Sequence, residues 1–218
     1  MAIIAPQKVV LAAAMALLLQ GCGHTPVTRT LVDAFGAGKG VASTVLSPNF
    51  RYLKVTANGR EALMALGYSD PHPDGPIDTW YSSEGEVIRL QNGRLLSTAG
   101  LELNWKSVRY RGLPDWRAVV SQGKLEFTRE RDEMPGHRFG LMDRLDLYAV
   151  PPPKDAHLLG VDPNGLRWFE ERVQSSPASL PSARYGLAIA GGEAKVVYGE
   201  QCLSERLCIA WQTWPAKP

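Results

Sequence analysis

The chain has 218 residues, enough for one domain of ordinary size or one domain with two lobes. Hydrophobic residues make up 44% and charged residues 21%, which excludes a disordered chain. The formal net charge is only +2 and no basic runs are present, so we expect no nucleic-acid partner. The high counts of glycine (21) and proline (16) favour many turns and a β-rich chain.

The N-terminus has the pattern of an export signal. Lys8 precedes an uncharged apolar run over residues 9–19. This run fits the core of a signal peptide, because a helix that spans a bilayer needs about 20 apolar residues. The alternative is a buried core helix, but such a helix would normally carry a polar face. We therefore predict that residues 1–21 are a signal peptide.

The end of this segment resembles the lipobox of bacterial lipoproteins. Leu19 and Gly21 match its pattern before Cys22, whereas Gln20 is less usual at its position. The resemblance implies cleavage before Cys22, a diacylglyceryl thioether on its sulfur and a fatty acid such as palmitate on its amino group. Two or more chains hold a protein on a membrane far better than one. Gly23 is not the Asp that often retains these proteins in the inner membrane, so we expect periplasm-facing anchorage in the outer membrane.

Residues 22–48 are predicted to form the lipidated N-terminus and a tether. Thr25-Pro26 and the glycine-rich stretch at 36–40 break regular structure.

From residue 50 onward the pattern changes to strands and tight turns. Residues 50–57 alternate loosely and precede Asn58-Gly59, the strongest two-residue hairpin signal. Residues 61–68 are then predicted to be the returning strand, although their Ala, Leu and Met content also suits a helix. Two further hairpins are predicted, around residues 83–85 and Asn92-Gly93.

The remaining chain continues this pattern to residue 214. Strand-like runs are predicted at 103–110, 117–120, 124–129, 145–150, 168–173 and 184–190, followed by a final hairpin. Gln122-Gly123 is taken as the turn between two of them. The 8–12-residue spacing predicts an all-β domain over residues 49–214, an antiparallel sandwich or barrel-like fold of ten to twelve strands. No run supports a parallel βαβ unit.

Cys202 and Cys208 are predicted to form a disulfide. Both lie beside strand-like flanks, and a hairpin would bring them opposite each other. Export to the periplasm permits oxidation. Two free buried thiols and a redox pair remain alternatives, although the spacing is not Cys-x-x-Cys. The pairing would leave Cys22 free for lipid.

The search for catalytic chemistry is mostly negative. The four histidines form no zinc motif, and we expect no metal and no cofactor beyond the lipid. Acidic residues that in principle could supply a glycosidase pair are Glu84, Glu86, Asp115, Asp132, Glu133, Glu170 and Glu171. Acids in turns are usually solvated, so no catalytic residue is assigned.

One section combines aromatic rings with arginines. It contains Trp105, Arg109, Tyr110, Arg111, Trp116 and Arg117. Rings stack on sugar faces and guanidinium groups bind carboxylates, so this set is a candidate glycan or partner surface. The alternative is that the rings are core and the arginines cover it. Trp80, Tyr81, Trp168 and Trp211 are expected in the core.

Three segments together resemble the YjbF/GfcB lipoproteins of capsule and exopolysaccharide clusters. They are residues 51–68, 78–101 and 196–202, with Asp78-Thr79-Trp80-Tyr81 and Gly85-Glu86-Val87 the most specific parts. The likeness runs from about residue 46 to 214. It implies a β-rich periplasmic lipoprotein that acts with outer-membrane partners in producing or exporting a surface polysaccharide. It brings no catalytic residues.

We therefore expect a non-enzymatic accessory lipoprotein of capsule or exopolysaccharide assembly or export. Its partners would be the membrane, through the lipid, and a polysaccharide or an outer-membrane export protein. Two other hypotheses are a periplasmic polysaccharide-modifying enzyme and a structural envelope lipoprotein without a glycan ligand.

Overall fold

The computed structural model of the protein describes residues 41–155, 158–176 and 180–215. The predicted signal peptide, Cys22 and most of the predicted tether lie outside these ranges. Within them the chain forms one antiparallel sheet and one short α-helix. The strands are β1 (Tyr52–Ala57), β2 (Arg60–Asp70), β3 (Ile77–Tyr81), β4 (Val87–Gln91), β5 (Arg94–Ala99), β6 (Asn104–Arg111), β7 (Lys124–Met134), β8 (Arg138–Val150), β9 (Arg167–Ser175), β10 (Ala183–Ala190), β11 (Glu193–Cys202) and β12 (Cys208–Trp214). The helix, α1, is Trp116–Gln122, and 3₁₀ turns occupy Val41–Ser43 and Pro163–Gly165.

The sheet curls into a nearly closed barrel, which confirms the predicted all-β fold. Neighbours in sequence pair with each other, and β1 also pairs with β12. The one break in the ladder lies between β5 and β6, the two edge strands. Two hydrogen bonds that involve side chains bridge this seam. The backbone N–H of Trp105 donates to Thr98 Oγ1 at 3.1 Å, and the Tyr110 hydroxyl donates to the Leu95 carbonyl at 3.1 Å.

The predicted hairpins are confirmed. Asn58 and Gly59 have φ values of 47° and 78°, and Asn92 and Gly93 have 49° and 76°. Both central residues therefore lie in the left-handed region that a type I′ turn requires, which Asn-Gly tolerates well. The segment at 61–68, whose composition also suited a helix, is part of β2. Pairing on both sides, with β1 and β3, decides its conformation.

The predicted strand at residues 117–120 is wrong, because these residues belong to α1. The Asp115 carboxylate accepts the Arg117 N–H at 2.7 Å and caps the first turn. Gly123 ends the helix with a φ of 76° and is not a hairpin turn. A short apolar run does not by itself separate a strand from one buried helical turn.

The main core fills the barrel, and α1 lies at one end of it. Trp116 and Val119 of this helix join the interior cluster, as do Trp80 and Trp211. The hairpin between β11 and β12 closes the opposite end with Leu203 and Leu207, which are 1% and 4% exposed. Both ends of the barrel are therefore filled by side chains.

Two smaller apolar clusters lie on the outside of the barrel. Val41 packs with Tyr52, Leu63 and Ala65, so the end of the segment predicted as a tether contacts β1 and β2. Tyr81 is half-buried beside this cluster. The other cluster, Leu166, Trp168 and Tyr198, lies beneath the segment between β8 and β9.

Candidate functional site

A buried ionic network occupies the inner face of β7 to β9. Asp143 Oδ2 accepts hydrogen bonds from the Nε atoms of Arg129 at 2.9 Å and Arg131 at 2.8 Å. The Nη1 atom of Arg129 donates to Glu171 Oε1 at 2.9 Å and to Gln201 at 3.1 Å. Glu133 pairs with Arg131. The network joins four strands through groups that water does not reach.

The pKa values of the two central carboxylates of this network, Asp143 and Glu171, shift in opposite directions. Burial by itself would raise the pKa of Asp143, but hydrogen bonding from Arg131 and the charge of Arg129 outweigh burial and lower it. Burial dominates at Glu171 and raises its pKa, although Arg129 and Arg94 act against the rise. Asp143 is therefore held ionised more firmly than Glu171.

The structure divides the six residues of the predicted aromatic and arginine surface. Trp105 and Trp116 are 0% and 4% exposed, so neither ring presents a stacking face to the outside. Trp105 donates from Nε1 to the Leu203 carbonyl at 3.3 Å, and Trp116 donates to the Asn92 carbonyl at 2.7 Å. These two rings are core residues, as the alternative interpretation held.

The arginines that contact these rings are not the predicted ones. The guanidinium carbons of Arg129 and Arg131 lie 4.6 and 5.1 Å from the centroid of the Trp105 ring. That of Arg94 lies 3.5 Å from the centroid of the Trp116 ring. These distances permit cation–π attraction in a water-poor interior.

The predicted arginines lie on the surface. Arg109 and Arg111 of β6 share Glu130, with N–O distances of 2.5 and 3.5 Å. Arg117 of α1 instead pairs with Glu193 of β11, at 3.5 Å. Tyr110 is half-buried and closes the seam. Arg109, Tyr110 and Arg111 are thus brought together, and Arg117 is separated from them.

A groove of about 980 Å³ runs along the open seam, and we call it the seam groove. It is lined by residues 72–75, Ile77, Gln91, Asn92, Arg94, Leu96 and residues 108–115. Its volume is at the upper end of the range for small-ligand sites, about 300–1,000 Å³. Three arginines (94, 109 and 111) and two aspartates (74 and 115) give this lining a surplus of positive charge.

Hydrogen bonds fix one wall of the seam groove. Gln91 Nε2 lies 2.8 Å from His72 Nδ1 and donates to the Gly75 carbonyl at 3.0 Å, while Asn92 Nδ2 donates to the Asp74 carbonyl at 2.5 Å. Gly75 has a φ of 101°, and a Cβ at this position would meet the Asn92 side chain at 2.3 Å. The loop between β2 and β3 is therefore held against the turn that precedes β5.

Sequence reasoning did not single out Arg94, and nothing in its local sequence marks it. Arg129 and Arg131 do carry a signal, because they lie between Phe127 and Glu133 on the face of β7 that lines the barrel, at every second residue. Charged residues at the buried positions of a period-two pattern indicate an internal ionic network.

The acids considered for a glycosidase pair are dispersed. Glu133 and Glu171 are buried partners of arginines, and Glu170 pairs with Arg172 outside the barrel. Among the residues that the structure describes, no three His, Cys, Asp or Glu side chains form a group that could hold a metal ion. No helix in the described ranges is both long and apolar enough to cross a membrane.

The predicted disulfide between Cys202 and Cys208 is present. The two residues are direct partners in the β11–β12 ladder. The bond closes the hairpin that carries Leu203 and Leu207 into the barrel.

Comparison with known proteins supports the fold. No protein-family model matches the sequence, and no curated protein is significantly similar to it. Among solved structures, the chain is similar to the crystal structure of the hypothetical lipoprotein YmcC from Escherichia coli K12. The TM-score is 0.58, the sequence identity is 15%, and the match covers 100% of both chains. The two chains therefore share a fold.

Proposed function

We propose that the protein is a lipoprotein of the outer membrane, anchored through Cys22 and facing the periplasm. In this proposal it acts without catalysis, and with no cofactor beyond the lipid, in the assembly or export of a capsule or exopolysaccharide. The observation that carries the proposal is the seam groove, an open channel on the barrel whose lining includes three arginines and two aspartates. The lipobox-like sequence, the YjbF/GfcB resemblance and the fold shared with a hypothetical lipoprotein support it.

The mechanism is binding and positioning. The lipid confines the barrel to the membrane surface, so its contacts with a polysaccharide or an export protein act at high effective concentration and each can be weak. Arg109 and Arg111 at the edge of the groove supply donors for acidic groups on such a partner.

The anchor is tested by replacing Cys22 with serine and fractionating cells. The wild-type protein is expected in the outer-membrane fraction, and the Cys22→Ser protein in the soluble periplasmic fraction. A serine variant that stays in the membrane would refute the lipid anchor.

The role is tested by measuring surface polysaccharide in cells that lack the gene and are complemented with variants. We expect Arg109→Glu/Arg111→Glu to complement poorly and Arg172→Glu to complement fully. Arg172 is a matched control because its side chain is 53% exposed, like that of Arg109, and is also paired with a glutamate. Wild-type polysaccharide without the gene would favour the structural hypothesis, whereas release of new reducing ends by the pure protein would favour the enzyme.

A further inference from the structure

The hairpin between β7 and β8 ends in an exposed apolar tip. Phe139 is 62% exposed and Met142 is 44% exposed, and both lie near the start of β8. β8 pairs with β9 only from Arg144 onward, so this part of the strand extends past that ladder. Large apolar side chains are unfavourable in water, and neighbouring exposed ones commonly mark an interaction surface.

A bulge in β8 places both side chains on the outer face of the hairpin. Arg131 faces the barrel interior and lies opposite Leu141. Glu133 also faces the interior and lies opposite Arg138. Residues that lie directly opposite share a face, so the neighbours of these partners, residues 139 and 142, face outward. Gly140 is the extra residue of the bulge and has a φ of 64°.

The tip is flanked by cations that have no acidic partner among the described residues. They are Arg144 of β8 and Lys106 of β6, and both are exposed. The acids beside the tip are already occupied, because Arg109 lies 2.5 Å from Glu130 and 3.9 Å from Asp132. The surface around the tip therefore combines apolar side chains with unpaired positive charge.

We infer that the tip of the β7–β8 hairpin inserts into the membrane surface, where it contacts anionic phospholipid. The choice of the membrane rests on the lipid anchor proposed above. The tip gives the barrel a second, non-covalent contact with that membrane and sets its orientation.

The chemistry of the tip fits a bilayer surface. Phenylalanine and methionine side chains enter the boundary between headgroups and acyl chains, and nearby cations are attracted to anionic headgroups. A bilayer also accommodates a protruding tip without a complementary pocket. Four other tight turns of the barrel carry only polar residues or glycine: Asn58-Gly59, Glu84-Gly85, Asn92-Gly93 and Gly191-Gly192.

The anchor and the tip can lie on the same membrane. Val41, the first described residue, packs on the outside of the barrel. The chain from Cys22 to Val41 reaches at most about 65 Å when it is fully extended. The 11 residues of β7 span only about 35 Å. The predicted tether is therefore long enough to reach past either end of the barrel.

Tip insertion is tested with the full-length, lipidated protein in phosphatidylethanolamine vesicles that contain about a quarter phosphatidylglycerol. Phe139→Trp places an indole at the tip, and bromine on the acyl chains quenches an indole that enters the bilayer. Ile189→Trp is the matched control, because Ile189 is 43% exposed and lies at the opposite end of the barrel. After subtraction of the wild-type signal, we expect at least about twofold stronger quenching at residue 139 than at residue 189. Equal quenching, or stronger quenching at residue 189, would overturn the inference.

Charge variants test the contact with anionic lipid. In the Phe139→Trp protein, Lys106→Glu/Arg144→Glu should reduce the quenching by at least about half, because both side chains then repel the headgroups. Arg167→Glu/Lys195→Glu makes the same change in net charge with exposed cations at the opposite end, and it should leave the quenching unchanged. Equal quenching in the two charge variants would also overturn the inference.

Loss of the tip contact and loss of the anchor are distinguishable. Lipidated protein that floats with the vesicles but shows no quenching at residue 139 would refute the tip contact alone. Protein that carries no lipid on Cys22 would refute the anchor, and with it the shared membrane on which the tip contact rests.

Discussion

Asp143 binds Arg131 through both of its oxygens inside the barrel. Oδ2 accepts from Nε at 2.8 Å and Oδ1 accepts from Nη2 at 3.3 Å, and both side chains are 0% exposed. Ser176 also donates to Oδ1 at 2.6 Å, and Arg129 donates to Oδ2. The carboxylate is thus the shared counter-charge of two buried arginines next to Trp105.

Replacing Asp143 with asparagine should strongly destabilise the protein. The change leaves two buried guanidinium groups without their shared counter-charge, which typically costs about 3–5 kcal/mol of unfolding free energy. Urea denaturation followed by tryptophan fluorescence measures the loss. Glu126→Gln is the control, because Glu126 is an exposed partner of Lys124 and its loss should change stability by less than about 0.5 kcal/mol. A loss at Asp143 as small as at Glu126 would contradict the network.

The pH dependence of stability should differ in sign at Asp143 and Glu171. The folded state lowers the pKa of Asp143 from 3.8. Its contribution to the free energy of unfolding is therefore present above that value and is lost as the pH falls. The folded state raises the pKa of Glu171 from 4.5, so its contribution is present below 4.5 and is lost as the pH rises.

Two variants test these signs. From pH 7 down to pH 3, the stability difference between the wild type and Asp143→Asn should shrink. Over the same range, the wild type should gain stability relative to Glu171→Gln. Urea midpoints measured at each pH check both trends, and parallel trends would disprove the assignment.

Gly199 should not tolerate a methyl group. A Cβ at this position would meet the Trp211 ring at 2.4 Å, inside the packed barrel. We expect Gly199→Ala to cost about 1–3 kcal/mol through overpacking, and Trp211→Phe to recover part of this cost in the double variant. Thermal unfolding measures both effects.

Gly165→Ala is the matched control for this substitution. A Cβ there meets no atom within 4 Å, and the backbone is not in the left-handed region. Its stability should stay within about 0.5 kcal/mol of the wild type. A Gly199→Ala protein as stable as this control would show that the ring does not lie over β11.

Removing the disulfide should loosen the end of the barrel that Leu203 and Leu207 close. The short loop between Cys202 and Cys208 gives about 2 kcal/mol in the chain-entropy model. We expect Cys202→Ser/Cys208→Ser to lose this amount in urea denaturation, and to be insensitive to reductant. Wild-type protein with reductant should approach the stability of the variant. If reductant left the wild type unchanged while the variant was weaker, the loss would reflect packing.

The sequence predicted the hairpins well because their signals are local. Asn-Gly turns demand positive φ at both residues, and the strands beside them need no distant information. The helix at Trp116 was missed because its apolar run is short and its position is fixed by packing at the end of the barrel. The candidate site was only partly predictable: Arg109, Tyr110 and Arg111 do border the seam groove, but Arg94 enters it through the curl of the whole sheet.

Closure of the barrel depends on its last strand. β12 supplies the partner of β1, with Tyr52 opposite Trp214, and the same strand carries Cys208. In a chain that emerges N-terminus first, β1 can therefore pair only with β2 until β12 has emerged. Every other ladder joins strands that are neighbours in sequence. Disulfide formation and barrel closure become possible at the same moment. An oxidised Cys202–Cys208 pair therefore shows that the chain extends at least to the start of β12.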